Sequence, residues 1–78
     1  MTEEQYQELY TLNKRINEGT ATKEEQELYV RKLKEANVIT QEQYNNYETQ
    51  NDNTDLLKAI LLVGAFALIA YLIVKNNE

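Results

Sequence analysis

The densest acid groups in the chain are Glu24-Glu25 with Glu27, and Glu3-Glu4. Two carboxylates do general acid–base chemistry only when an enclosing pocket drives their pKa values apart. The polar part of this chain is about 55 residues and offers no such pocket, so these acids read as solvated helix faces. Asp52-Asn53-Thr54-Asp55 resembles the start of a cation loop, but it lacks the Gly and the distal Glu that an EF-hand requires. The absence of Cys and His removes thiolate and imidazole metal sites, disulfides, and the common nucleophile–base pairs. The only glycines are Gly19 and Gly64, too few and too far apart for a phosphate-cradling loop. Residues 1–55 carry 6 Lys/Arg against 12 Asp/Glu, which opposes a nucleic-acid partner. The expectation is a protein that is not an enzyme, with no catalytic residue, cofactor or metal.

The elements behind these residues are segregated. Mean hydropathy is −0.66 although 42% of residues are apolar. The two values coexist because 17 apolar residues fall within positions 56–74, whereas positions 1–55 hold 16, five of them Tyr. Nineteen helical residues reach roughly 28 Å, close to the hydrocarbon thickness of a bilayer. Within the run only Lys58 is charged, in the first turn, where its ammonium can snorkel to the headgroups. Tyr71 stands near the other end, at interface depth, and Lys75 closes the segment. The run is apolar on every face, which separates it from an amphipathic surface helix. A buried core helix is the competing reading, and it is set aside because 55 residues cannot wrap such a helix.

The span is therefore expected to include Leu56, Leu57, Ile60, Gly64, Ala67, Ala70, Tyr71 and Val74, as an unbroken helix over about 54–75. Gly64, Ala67 and Ala70 form a stripe of small residues that suits close helix packing in lipid. One Lys on each flank leaves the charge rule for orientation nearly balanced. A head in the cytoplasm or in the membrane-enclosed interior is favoured, because moving 55 residues that carry 18 charged side chains across a bilayer is the harder task.

Three helix starts share one chemistry. Thr2-Glu3-Glu4-Gln5, Thr22-Lys23-Glu24-Glu25 and Thr40-Gln41-Glu42-Gln43 each read as a capping box. Ile39 can staple onto Tyr44 across the third box, and Met1 onto Tyr6 across the first. The expected helices are 3–18, 23–36 and 41–49, with Gly19 and Asn37 suited to left-handed stops. Tyr6, Leu9, Leu12 or Asn13, and Ile16 keep a helical period; Leu28, Tyr29, Leu33 and Ala36 do so in the second helix. Tyr44 and Tyr47 share a face of the third. Val38 and Ile39 should plug the corner between helices, with Ile39 the most buried aliphatic of the head. Gln7-Glu8-Leu9-Tyr10 recurs as Gln26-Glu27-Leu28-Tyr29, and Glu4-Gln5-Tyr6 as Glu42-Gln43-Tyr44. These echoes fit either a repeated helix–turn unit or the coincidences of a Glu/Gln/Tyr-rich composition.

Residues 33–44, Leu-Lys-Glu-Ala-Asn-Val-Ile-Thr-Gln-Glu-Gln-Tyr, resemble the SHOCT family, a short helical-hairpin module. The family pattern is a Leu-rich helix, Gly or Asn, an apolar pair, Thr, acidic or amide residues, and an aromatic. Residues 16–25 are a looser second match. Tyr44 stands where the family usually has Phe, and its trailing Lys and Leu are missing here. The resemblance implies an oligomerisation or interaction module, often beside membrane segments, and no catalysis.

The expected fold is all-α: a small helical head of two to three short helices and one C-terminal transmembrane helix. The divisions are a head at 1–49, a polar hinge at 50–54, the span at 55–75 and a short tail at 76–78. Tyr6, Leu9, Leu28, Tyr29, Leu33, Ile39, Tyr44 and Tyr47 are the head's candidate core or interaction residues. Asp52, Asn53 or Thr54 should cap the span. The functional expectation is a single-pass, tail-anchored structural protein that tethers or organises an assembly at a membrane. Its partners would be the bilayer and other proteins, or copies of itself as an oligomer or part of a larger assembly. A membrane-containing phage virion, or a cellular inner membrane, is the setting that fits. The alternatives are a holin-like membrane-permeabilising protein and an accessory subunit of a larger membrane complex.

Overall fold

Each of the three Thr boxes starts a helix as its chemistry requires. The hydroxyls of Thr2, Thr22 and Thr40 each accept from the backbone N–H three residues on, at 3.1 Å. The side chains of Gln5, Glu25 and Gln43 accept in return from the three Thr amides, at 2.8–3.0 Å. The computed structural model describes residues 1–50 and 52–77, and over these the chain is all-α. The helices are α1 (Glu3–Asn17), α2 (Lys23–Glu35), α3 (Gln41–Thr49) and α4 (Thr54–Asn76). Of the expected hinge at 50–54 and tail at 76–78, Asn51 and Glu78 lie outside the described residues.

Both early helices stop one residue short of the expected ends, and for the same reason. Gly19 (φ 73°) and Asn37 (φ 60°) take the left-handed conformation one residue beyond the cap. Thr20 N donates to Arg15 O and Gly19 N to Ile16 O, at 2.9 and 3.1 Å; Val38 N donates to Leu33 O and Asn37 N to Lys34 O, at 2.9 and 3.0 Å. These paired bonds satisfy carbonyls that the last turn leaves open. Two identical stops give two tight corners, so α1, α2 and α3 fold back on one another.

Leu9, Leu12, Tyr29, Val30, Leu33, Ile39 and Tyr47 form the buried core of the head, with Tyr6, Leu28 and Tyr44 partly buried around it. Ile39 is buried at 4% exposure but is not the most buried aliphatic. Leu33 and Val30 are at 0% and Leu9 at 1%. The correction is geometric: Ile39 sits at a corner beyond the end of α2, while Val30 and Leu33 lie within α2, the helix that contacts each of the other three.

Helix α4 runs unbroken through Gly64 for 23 residues and is long and apolar enough to cross a membrane. Its N-cap is Asn53, whose side chain makes no capping bond. The neighbouring Asp52 carboxylate accepts from Thr54 N instead, at 3.2 Å. Helices α1 and α2 both pack against α4, and Ile60 and Leu68 join the same core cluster as the head. That cover is one-sided: only 17% of the apolar window is buried.

Candidate functional site

The most elaborate surface in the molecule is the seam between α4 and the head. It starts from a spacing: Leu57, Leu61, Gly64, Leu68, Tyr71 and Lys75 recur at alternating intervals of four and three along α4. Such a repeat keeps one narrow stripe of a helix facing a partner helix. Here the partner is α1, which runs antiparallel to α4. Glu3, at its start, meets Lys75 and Tyr71, and Asn13, three turns later, meets Leu61.

At the centre of the seam Gly64 is buried beneath the Tyr29 ring of α2. A Cβ at position 64 would fall inside the radius of the Tyr29 hydroxyl oxygen, 2.9 Å from Cζ and 3.2 Å from Leu33 Cδ1. Only hydrogen fits there, so Gly64 is a notch that seats a tyrosine. The Tyr29 hydroxyl accepts from Asn13 Nδ2 at 2.9 Å. The same nitrogen donates to the Leu61 carbonyl at 3.4 Å, and Asn13 Oδ1 accepts from Asn17 Nδ2 at 2.9 Å. Asn13 thus spends both amide hydrogens joining three helices, which satisfies a phenol that would be costly to bury alone. Burial raises the Tyr29 pKa, and the Asn13 bond opposes the shift.

At the far end of the seam one Glu3 oxygen accepts from both Tyr71 Oη and Lys75 Nζ, at 2.7 Å each. The Tyr6 and Tyr71 rings stack beside it, with centroids 5.0 Å apart. The Lys75 ammonium foremost, then the Tyr71 hydroxyl, holds the Glu3 carboxyl at a pKa of about 2. Away from α4, Arg15 clasps Glu25 through two bonds, at 2.6 and 2.9 Å, and bonds the Thr20 carbonyl at 3.2 Å. That ion pair, with the Thr22 amide, holds Glu25 at about 2 as well. Glu8 and Lys32 pair across α1 and α2. Glu3 and Glu25, expected on solvated faces, are therefore joints between elements, while Glu4, Glu24 and Glu27 are exposed.

The sequence-expected residues divide cleanly. Leu9, Tyr29, Leu33, Ile39 and Tyr47 are buried, as are Ile60 and Gly64. Leu56, Leu57, Ala67 and Tyr71 are half-buried, and Ala70 and Val74 are exposed. The Gly64/Ala67/Ala70 stripe is thus not a single open face, because the head occupies its first position. Tyr47 is 1% exposed, and its hydroxyl makes no hydrogen bond among the described residues. Sequence reasoning gives Asn13 as an alternative to Leu12 and assigns Glu3 to a solvated face rather than to a contact with α4. The available signal for Asn13 was a polar residue one helical turn from Leu9 and Ile16, on the apolar side of α1.

Opposite the seam, α4 presents a second stripe to solvent. Leu62, Phe66, Ile69 and Ile73 are 59, 63, 54 and 56% exposed, with Val63, Leu72 and Val74 beside them. Among the described residues no three His, Cys, Asp or Glu side chains converge as a metal site would require. No family model matches the chain, and neither the curated proteins nor the solved structures hold a significantly similar one.

Proposed function

We propose that this is a non-enzymatic single-pass membrane protein that tethers or organises a protein assembly at a bilayer through its helical head. The observation that carries the reading is the uncovered stripe of α4. Soluble monomers rarely expose contiguous large apolar side chains without a use for them, and here they line a helix of membrane-spanning length. Lys58 and Lys75 bracket the apolar turns, where ammonium groups reach headgroups from either side. The interaction role draws on the head's half-exposed Tyr10 and partly buried Tyr6 and Tyr44, since Tyr suits protein contacts. It draws also on the resemblance of residues 33–44 to an interaction module. A membrane-containing virion, with the head against the shell and α4 in the internal bilayer, is the setting proposed.

The test is fractionation of the full chain expressed in bacteria, followed by alkaline carbonate extraction. Retention in the membrane pellet is expected, and recovery as a soluble protein would overturn the reading. Crosslinking in those membranes with mass spectrometry then names the partner. Growth arrest with dye entry on expression would select the holin-like alternative over a tether.

A further inference from the structure

We infer that α4 has two mutually exclusive environments, and that the head is a cover which must leave one side of it before α4 can span a bilayer. This rests on the membrane reading above and adds a conformational step to it. In the structure α1 lies alongside α4 from the Lys58 end, where Asn17 sits, to Lys75, where Glu3 binds. A spanning α4 would hold the whole of α1 at membrane depth. Glu4 and Lys14, exposed on that helix, would then meet hydrocarbon, where unpaired charges are not tolerated on an exposed face. The closed arrangement and the spanning arrangement therefore cannot coexist.

The closed state is nonetheless built rather than incidental. Its central contact is shape-specific, a Tyr29 ring seated on a glycine that leaves no room for a Cβ. Its bonds to α4 come from two α1 side chains, Asn13 to the Leu61 carbonyl and Glu3 to Tyr71 and Lys75. A helix that only anchors in lipid has no need of a notch matched to its own head. The closed form hides Ile60, Gly64 and Leu68 while the opposite stripe stays bare. That leaves a surface for first contact with a bilayer, after which lipid can replace the head on the covered side. The link around Asp52 and Asn53, between the end of α3 at Thr49 and the start of α4 at Thr54, carries the motion, and the bond from Asn53 Nδ2 to the Tyr47 carbonyl, 3.2 Å in the closed form, must break as it opens.

The chain has no cysteine, so a pair of labels can be placed at Glu4→Cys and Asn76→Cys, both exposed. The full chain is made by cell-free synthesis without vesicles, or with vesicles of phosphatidylcholine and phosphatidylglycerol. Energy transfer between the labels reports closure, and flotation reports vesicle binding. Without vesicles the labels should be close. With vesicles, bound protein should lose the short distance, since a bilayer core of about 30 Å comes to separate the ends. Gly64→Leu, which blocks the Tyr29 seat while adding apolar surface, and Glu3→Gln, which weakens the far clamp, should each raise the vesicle-bound fraction and lengthen the vesicle-free distance. Chain that floats with vesicles yet keeps the short distance overturns the switch and leaves the membrane reading standing. Chain that does not float at all overturns both. Unchanged distance and binding in the two variants would also overturn the switch.

Discussion

Gly64→Ala separates a lipid-facing glycine from one that seats a tyrosine. In an isolated helix interior, Ala is favoured over Gly by about 1 kcal/mol. Against that gain stands a Cβ placed on the Tyr29 hydroxyl and 2.9 Å from Cζ. Tyr29 is 0% exposed and cannot swing aside without moving its neighbours. Overpacking of a buried site costs roughly 1–3 kcal/mol. A displaced phenol also gives up its bond from Asn13, worth about 1 kcal/mol. The balance is a net loss of about 1–3 kcal/mol from the closed form, large for a chain of this size. Urea denaturation of the vesicle-free chain, followed by circular dichroism, should show the midpoint falling. Hydrogen exchange should show α4 amides near position 64 losing protection. If the midpoint instead rises by the helix-propensity increment alone, Tyr29 does not rest on residue 64, and the seam is not the organising contact.

Ile39→Asp should cost about 2–4 kcal/mol, because it puts a charge into the buried corner between α2 and α3. Thr40→Ala should cost only about 1 kcal/mol as a lost cap; thermal melts of the two variants test that order. Acidification should loosen both ends of α1. Glu3 and Glu25 each fall from the ordinary 4.5 to about 2 in the folded chain, so their contributions are present above the unfolded value and disappear as pH drops from about 4.5 through about 2. Tyr fluorescence and helicity followed over that window should change, and the changes should be smaller in Glu3→Gln. Tyr47→Phe should leave stability unchanged or raise it by about 1 kcal/mol, because the buried hydroxyl it removes makes no hydrogen bond among the described residues; a clear loss on urea titration would show that the phenol has a partner.

What the sequence by itself determined lies within a few residues of each signal. Thr2, Thr22 and Thr40 bond three positions ahead, and Gly19 and Asn37 close turns five residues back. Such chemistry is legible without knowing the rest of the fold, so four helices could be read directly, with their ends to within one residue. The apolar length of α4 is legible for the same reason, being a property of consecutive residues. What only the tertiary structure decided is which side of α4 meets which helix. Tyr29 and Gly64 are 35 positions apart, and Glu3 and Lys75 are 72. An apolar run with Leu, Ile, Val and Ala on every side has no face marked in advance, and a small residue suits either a neighbouring span or a tyrosine. The direction in which α1 and α2 fold back settles the choice, because antiparallel packing puts Asn13 level with Leu61 and leaves Gly64 the one position on that stripe without a side chain, where the Tyr29 ring can close.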